Sequence, residues 1–256
     1  MPKSPERTPG SPAHATVYGL HAVRAMLERH PERIRAVHLA AHRDDPRMRQ
    51  VEALAHAAGR PVRRIEAQAL RARLGDVAHQ GVLAEIDPLP PWSEADLLTA
   101  LEQARAPLLL ALDGVQDPHN LGACLRTADA CGALAVIVPR DRAVHVTPVV
   151  RKVAAGAAES TPVVVVTNLS RSLGLLKEAG LWVIGADAGA EQPAAATDLT
   201  GGVVLVLGAE GSGLRQLTRQ HCDRLVQLPS LGTVESLNVS VAAGMLLYEA
   251  RRQRGG

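Results

Sequence analysis

Residues 112–139, LDGVQDPHNLGACLRTADACGALAVIVP, join an apolar strand to an amphipathic helix through one polar loop, and the reading of that junction decides the fold. The run 107–112 is apolar and of buried-strand length, and the turn-forming Asp113-Gly114 follows it. Pro118 disfavours helix at the residue before it, so the loop opens at the carboxyl end of a strand. Asn120 reads as the N-cap of a helix over 120–131, in which Leu121, Leu125 and Ala128 share one face. That leaves Asn120 and Arg126 near the mouth of the loop. In open α/β sheets ligands bind at this end of the strands.

Working outward, short apolar runs at 108–112, 135–138, 163–167, 182–185, 203–207 and 224–228 alternate with helical patterns at 120–131, 147–158, 169–179, 212–220 and 236–252. Six such strands predict an α/β domain with a mostly parallel sheet covered on both faces. Upstream, helix, strand, helix, strand, helix and strand are expected at 18–29, 34–40, 47–58, 61–65, 67–74 and 81–86, forming a small α/β domain. Residues 87–92, DPLPPW, break every pattern and read as a semi-rigid linker before a helix at 94–105. The organisation expected is therefore a disordered tail over 1–15, a small domain over 16–87, linker and helix over 88–105, and a large domain over 106–256.

Composition removes several function classes. There is no Phe, so the core is aliphatic, and a stacking platform for bases is limited to Trp92, Trp182, Tyr18 and Tyr248. A broad aromatic RNA-binding sheet is thereby excluded. Cys124, Cys131 and Cys222 lack zinc-ligand spacing, and no metal site is expected; three cysteines without a signal peptide point to reduced, structural thiols in a cytoplasm. No apolar run is long enough to span a bilayer, so no membrane partner is expected either. Charge is unevenly placed. Residues 1–73 hold 14 Lys/Arg against 7 Asp/Glu, whereas the rest holds 14 against 19. The arginines of the first third, Arg63 and Arg64 among them, suit phosphate contacts as well as they suit a solvated surface.

Two more stretches carry chemistry. In 203–214, VVLVLGAEGSGL, a strand runs into Gly208, Gly211 and Gly213 around Glu210. The third glycine of a dinucleotide fingerprint is missing, and so is the Lys-Ser/Thr of a P-loop. An acid among glycines would repel phosphate but could orient an arginine or an amide. In 228–245, LPSLGTVESLNVSVAAGM, a strand ends in a turn, and Ser236 and Asn238 stand where a helix cap is expected. A parallel sheet would bring all three polar loops to one edge.

Asn120-x-Gly122-x-x-x-Arg126, then LGAEGSGL at 207–214, then SLNVSVAAG at 236–244, resemble the three motifs of the SpoU or TrmH family of RNA 2′-O-ribose methyltransferases, in the family's order. VYGLHAV at 17–23 and HQGV at 79–82 resemble its small, ribosomal-protein-like substrate-binding domain, so the resemblance covers the whole chain. It implies a C-terminal domain tied in a deep trefoil knot, a topology nearly absent among folds. It also implies S-adenosylmethionine as cofactor, a homodimer, and an RNA rather than DNA partner. Within the family the full-length pattern is closest to members that methylate guanosine in bacterial 23S rRNA.

By matching positions, Asn120, Arg126, Glu210, Ser236 and Asn238 fall on the family's catalytic positions. Gly185, Ala186, Leu207, Gly208, Ala209, Gly211, Leu228, Pro229, Ser236, Leu237 and Asn238 would hold the cofactor, and Tyr18, His79, Gln80, Arg63 and Arg64 would meet RNA. Arg126 is expected to stabilise a developing alkoxide or recruit a phosphate, with Glu210 orienting it. His119, beside Asn120, is expected to be an ordinary loop residue. Competing readings are the same reaction on tRNA or at an antibiotic-resistance rRNA site, a non-catalytic RNA-binding protein, and a nucleotide-dependent oxidoreductase. The basic N-terminal domain argues against the plainest tRNA enzymes, and intact polar motif residues argue against binding alone. The absent dinucleotide fingerprint argues against the oxidoreductase.

Overall fold

The computed structural model describes residues 15–75, 77, 79–87, 89, 91–230, 232–233 and 236–255. The expected tail lies outside these except for Ala15, which opens a strand instead. The chain divides into two compact units after residue 88.

The first unit contains β1 (Ala15–Tyr18), α1 (Leu20–Arg29), β2 (Ile34–Ala40), α2 (Pro46–Ala57), β3 (Val62–Ile65), α3 (Ala67–Leu74) and β4 (Val82–Ile86). Its sheet runs β1-β4-β2-β3, with β4 antiparallel to both neighbours and β3 parallel to β2. Val17, Val23, Leu27, Leu39, Met48 and Val51 close the core beneath α1 and α2. The helix expected from residue 18 starts at Leu20, because Gly19 takes φ 91° and turns the chain out of β1.

The second unit contains α4 (Glu94–Gln103), β5 (Leu108–Asp113), α5 (Pro118–Ala130), β6 (Ala135–Pro139), α6 (Pro148–Ala154), β7 (Val163–Val166), α7 (Leu169–Glu178), β8 (Trp182–Ala186), β9 (Val203–Gly208), α8 (Gln216–His221), β10 (Arg224–Val226) and α9 (Val239–Gln253). The six strands run β10-β8-β9-β5-β6-β7, every neighbouring pair parallel. Both faces are covered, which is why these strands read as unbroken apolar runs. Leu108, Leu110 and Leu112 pack on one side with Leu125, Val150 and Leu246; Leu109 and Ala111 pack on the other with Leu97, Leu173 and Val183.

Three helices of this unit differ from their expected spans by three or more residues at one end. The helix expected over 147–158 stops at Ala154, where Ala155 (φ 52°) and Gly156 (φ 102°) turn left-handed before a short 3-10 turn. The one expected from residue 212 starts at Gln216, since Gly211 and Gly213 hold φ of 77° and 63°. The last starts at Val239 and leaves Ser236 outside it.

Strand order places the site. From β5 the chain moves outward to β6 and β7, then crosses back to lay β8, β9 and β10 on the other side of β5. The switch falls between β5 and β9, whose last residues, Asp113 and Gly208, are register partners. Loops leaving adjacent strands at a switch part from each other and open a crevice.

Candidate active site

The loop after β5 is closed by Asp117, which caps α5 by accepting the His119 backbone N–H at 2.9 Å. The expected cap, Asn120, is therefore corrected. It lies inside the first turn, and its carboxamide is spared for other partners. Gly122 is required by packing: a Cβ there would stand 2.6 Å from Val153 Cβ and 2.9 Å from Val150 O, so its absence lets α6 lie against α5.

The loop after β9 doubles back at once. Gly213 N–H donates to Ala209 O at 2.9 Å, leaving Glu210, Gly211 and Ser212 at the tip. Gly208 cannot be replaced, since its Cβ would sit 2.0 Å from Gly213 C. Beneath this hairpin the buried Asp113 carboxylate accepts the Arg215 backbone N–H at 2.9 Å, and Arg215 Nε stands 3.5 Å from its other oxygen. One strand end thereby fastens the loop of the next.

The third segment arrives through Asn238. Its Oδ1 caps α9 by accepting Ser240 N–H at 2.9 Å and Ser240 Oγ–H at 2.6 Å. Its Nδ2 donates to Asn120 Oδ1 at 3.0 Å and to Glu210 Oε1, which also accepts the Val239 backbone N–H at 3.4 Å. Asn120, Glu210 and Asn238 thus meet through one amide, although they are up to 118 residues apart. Beside them lies a cavity of about 390 Å³ lined by Asp113, Gln116, Asn120, Arg142, Glu210 and Arg215 among others.

The remaining expected residues distribute unevenly. Arg126 is exposed, does not line the cavity, and has no hydrogen bond or ion pair among the described residues. Within one chain Glu210 makes no hydrogen bond or ion pair with Arg126 among the described residues, contrary to the expected orienting contact; its Oε1 accepts from Asn238 and Val239 instead. Gly185 serves packing, with Cys222 Sγ 2.7 Å and Leu225 Cδ2 2.8 Å from where a Cβ would be. Ala209 lines the cavity; Ala186, Leu207, Leu228, Pro229, Ser236 and Leu237 do not. Pro229, Ser236 and Leu237 are exposed and Leu228 is half-buried. Among the described residues no backbone–backbone hydrogen bond involves Leu228, Ser236 or Leu237.

In the first unit, Gln80 adopts φ 51° and its Oε1 accepts Leu20 N–H at 3.1 Å, supplying the cap that Gly19 cannot. His79 Nδ1 accepts Gly81 N–H at 3.0 Å. Arg64 is bound to Glu52 at 2.5 Å and to Arg43 O at 2.8 Å, whereas Arg63 is exposed and Tyr18 half-buried against the cluster of Ala40, Leu70 and Leu83. Several other basic residues are likewise held internally, Arg35 by Asp87 and Arg73 by Glu85.

Asp113, Gln116, Arg142 and Arg215 carried no signal in sequence. Asp113 read only as a turn residue, and the others stand outside every motif. Burial pushes the Cys124 thiol up to about 12 and the Cys222 thiol up to about 11, consistent with inert thiols. No group of His, Cys, Asp and Glu able to hold a metal occurs among the described residues.

A parallel sheet with a crevice at its switch, lined by the amides of Gln116 and Asn120, by Asp113, Asp117 and Glu210 and by Arg142 and Arg215, defines an α/β ligand site, and comparison with known proteins makes this specific. Residues 107–248 match the model of the SpoU rRNA methylase family, and residues 16–92 match the model for RNA 2′-O ribose methyltransferase substrate binding. The chain belongs to the SpoU rRNA methylase family.

Among its relatives, the 23S rRNA (guanosine-2′-O-)-methyltransferase RlmB of Pseudomonas putida is 54% identical over 93% of this chain and 96% of its own. The protein of the same name from Escherichia coli is 45% identical over 93% and 98%. Among solved structures, an AdoMet-bound rRNA methyltransferase from Sinorhizobium meliloti superposes with a TM-score of 0.70 at 25% identity, covering 94% of this chain and 87% of that one.

Proposed function

We infer that this chain transfers a methyl group from S-adenosylmethionine to the ribose 2′-OH of a guanosine in 23S rRNA. The observation that carries the reading is the junction of Asn120, Glu210 and Asn238, drawn from three distant segments to one cavity. Identity of 45–54% to RlmB relatives along almost their whole length supports the substrate. Titrating the protein with S-adenosylmethionine by calorimetry, then adding unmodified 23S rRNA and following labelled methyl, tests both halves. Cofactor binding without transfer to any RNA would leave a binding protein.

The residues present fit the cofactor. The main chain at Leu228, Ser236 and Leu237, without backbone–backbone hydrogen bonds among the described residues and with apolar Leu228 and Leu237 beside it, suits an adenine edge and a methionine chain. When bound, S-adenosylmethionine supplies a sulfonium methyl for in-line attack. The chain's contribution is alignment, which can lower a barrier by ~7–11 kcal/mol in favourable cases. Glu210 fixes Asn238, Asn238 fixes Asn120, and Asn120 presents its amide to the ribose in the cavity. A guanidinium keeps its proton and makes a poor general base, so Arg126 is assigned to stabilising the developing alkoxide or an adjacent phosphate. Arg126→Lys retaining near-normal turnover, with cofactor affinity unchanged, would sink that role.

The homodimer and knot belong to the same reading. Leu237, Val241, Met245 and Tyr248 are 37–66% exposed on one side of α9 and its lead-in, an apolar stripe suited to a second copy. Thr127 meets Gly244 of α9, so a dimer on this face brings the neighbouring Arg126 to its margin. The return of the chain from β10, at the sheet edge, past the ends of β8 and β9 to Asn120 supports a knotted path. A small RNA-binding domain over 16–87, linker and helix over 88–105, and a catalytic domain over 106–256 complete the proposal. Exposed Arg63 and half-buried Tyr18, rather than Arg64 with its partners Glu52 and Arg43, are its best RNA contacts there. No helix among the described residues is long and apolar enough to cross a membrane.

A further inference from the structure

The cavity's charged lining is almost wholly committed. Asp113 is held by Arg215, Asp117 by the His119 N–H, and Glu210 by Asn238 and Val239. Arg142 is the exception: it lines the cavity and is exposed, yet it has no hydrogen bond or ion pair among the described residues. It is also placed at a conformational cost. Its φ is 58°, in a left-handed region that residues other than Gly, Asn and Asp seldom occupy.

The loop that holds Arg142 is anchored on both sides. Val144 N–H donates to Val115 O at 2.9 Å, the ring Nε2 of His145 lies 2.9 Å from Arg140 O, and Val144 and Val146 pack against the main core. A guanidinium held on a docked loop without a carboxylate is a ready partner for an anion, and its planar fork matches a phosphate.

We propose that Arg142 is a phosphate subsite for the RNA, binding the phosphodiester next to the target ribose and so seating the 2′-OH against Asn120. The proposal rests on the methyltransferase reading of the same cavity. Its left-handed backbone then has a use: strain persists where the surroundings fix it, and it clusters at ligand clamps.

The test compares wild type with Arg142→Gln and Arg142→Gly, the glycine variant relieving the backbone so that loss of fold is not confounded with loss of charge. Affinity for an unmodified 23S rRNA transcript is measured with S-adenosylhomocysteine present, across a range of KCl concentrations, alongside methyl transfer and S-adenosylhomocysteine affinity alone. Both variants are expected to bind RNA about tenfold more weakly and to lose ~0.7–0.9 from the log–log salt slope, the amount associated with one phosphate contact. Cofactor affinity and melting temperature should stay as in wild type. An unchanged salt slope overturns the subsite. Weaker S-adenosylhomocysteine binding with RNA affinity intact would instead assign Arg142 to the cofactor's carboxylate. If wild type transfers no methyl to any RNA, the functional reading fails, while the binding slopes still decide whether Arg142 meets a phosphate.

Discussion

The carboxamide of Asn238 is divided between two tasks, since Oδ1 caps α9 and Nδ2 ties Glu210 to Asn120. Substitution separates them. Asn238→Asp keeps a good capping oxygen but removes the donor and faces Glu210 with a second carboxylate. It should leave the melting temperature near wild type and cut the single-turnover rate by about 10²-fold, the scale of a misplaced reacting group. Asn238→Ala should lose the rate and also about 1 kcal/mol of stability. If both variants keep the rate per folded molecule, capping is all that Asn238 does. Steric demands are as sharp at the glycines. Gly122→Ala should destabilise by about 1–3 kcal/mol in denaturant unfolding, because the added methyl meets Val153 and the Val150 carbonyl between two packed helices. A histidine gives a pH signature. His38 is buried on β2 beside Glu85 and Arg73, and burial, outweighing the pull of Glu85, lowers its pKa from the usual 6.5. The unfolded chain therefore binds a proton there that the folded one resists, so stability falls as pH drops below about 6.5. The melting temperature of His38→Gln should depend less on pH between 7.5 and 5 than that of wild type; equal dependence would contradict this.

At the scale of elements, the parallel sheet was legible because strands buried on both faces leave unbroken apolar runs, and all six of the second unit appear near their expected places. Errors gathered at helix starts. Asn120 and Asp117 are both good caps, and Pro118, suited to the first helical position, gives the role to Asp117. Likewise the glycines after β9 looked permissive, yet two are held left-handed and one is crushed against its own hairpin, which pushes α8 to Gln216. Motif positions identified Asn120, Glu210 and Asn238, whose spacing is local within each motif. Asp113, Arg142 and Arg215 were invisible because only the strand order makes them neighbours. The exposed stripe on α9 belongs to this scale too. Met245→Glu should turn a dimer into a monomer in sedimentation, with little change in helix content, and a monomeric wild type would refute the dimer.

For the whole molecule, a net-basic first third precedes a net-acidic remainder, yet structure narrows what that charge can do. Many of the arginines there pair with their own unit's carboxylates or carbonyls, so fewer are without an intramolecular partner than charge counting suggests. What remains specific is the crevice at the β5/β9 switch, where three motifs meet. The most direct measurement is to incubate wild type and Asn120→Ala with labelled S-adenosylmethionine and either unmodified 23S rRNA or tRNA, then map 2′-O-methylated nucleotides by primer extension. Wild type should mark a guanosine in 23S rRNA and nothing in tRNA, and Asn120→Ala should bind cofactor but leave that guanosine unmarked. Transfer to tRNA alone, or full marking by Asn120→Ala, would contradict the account.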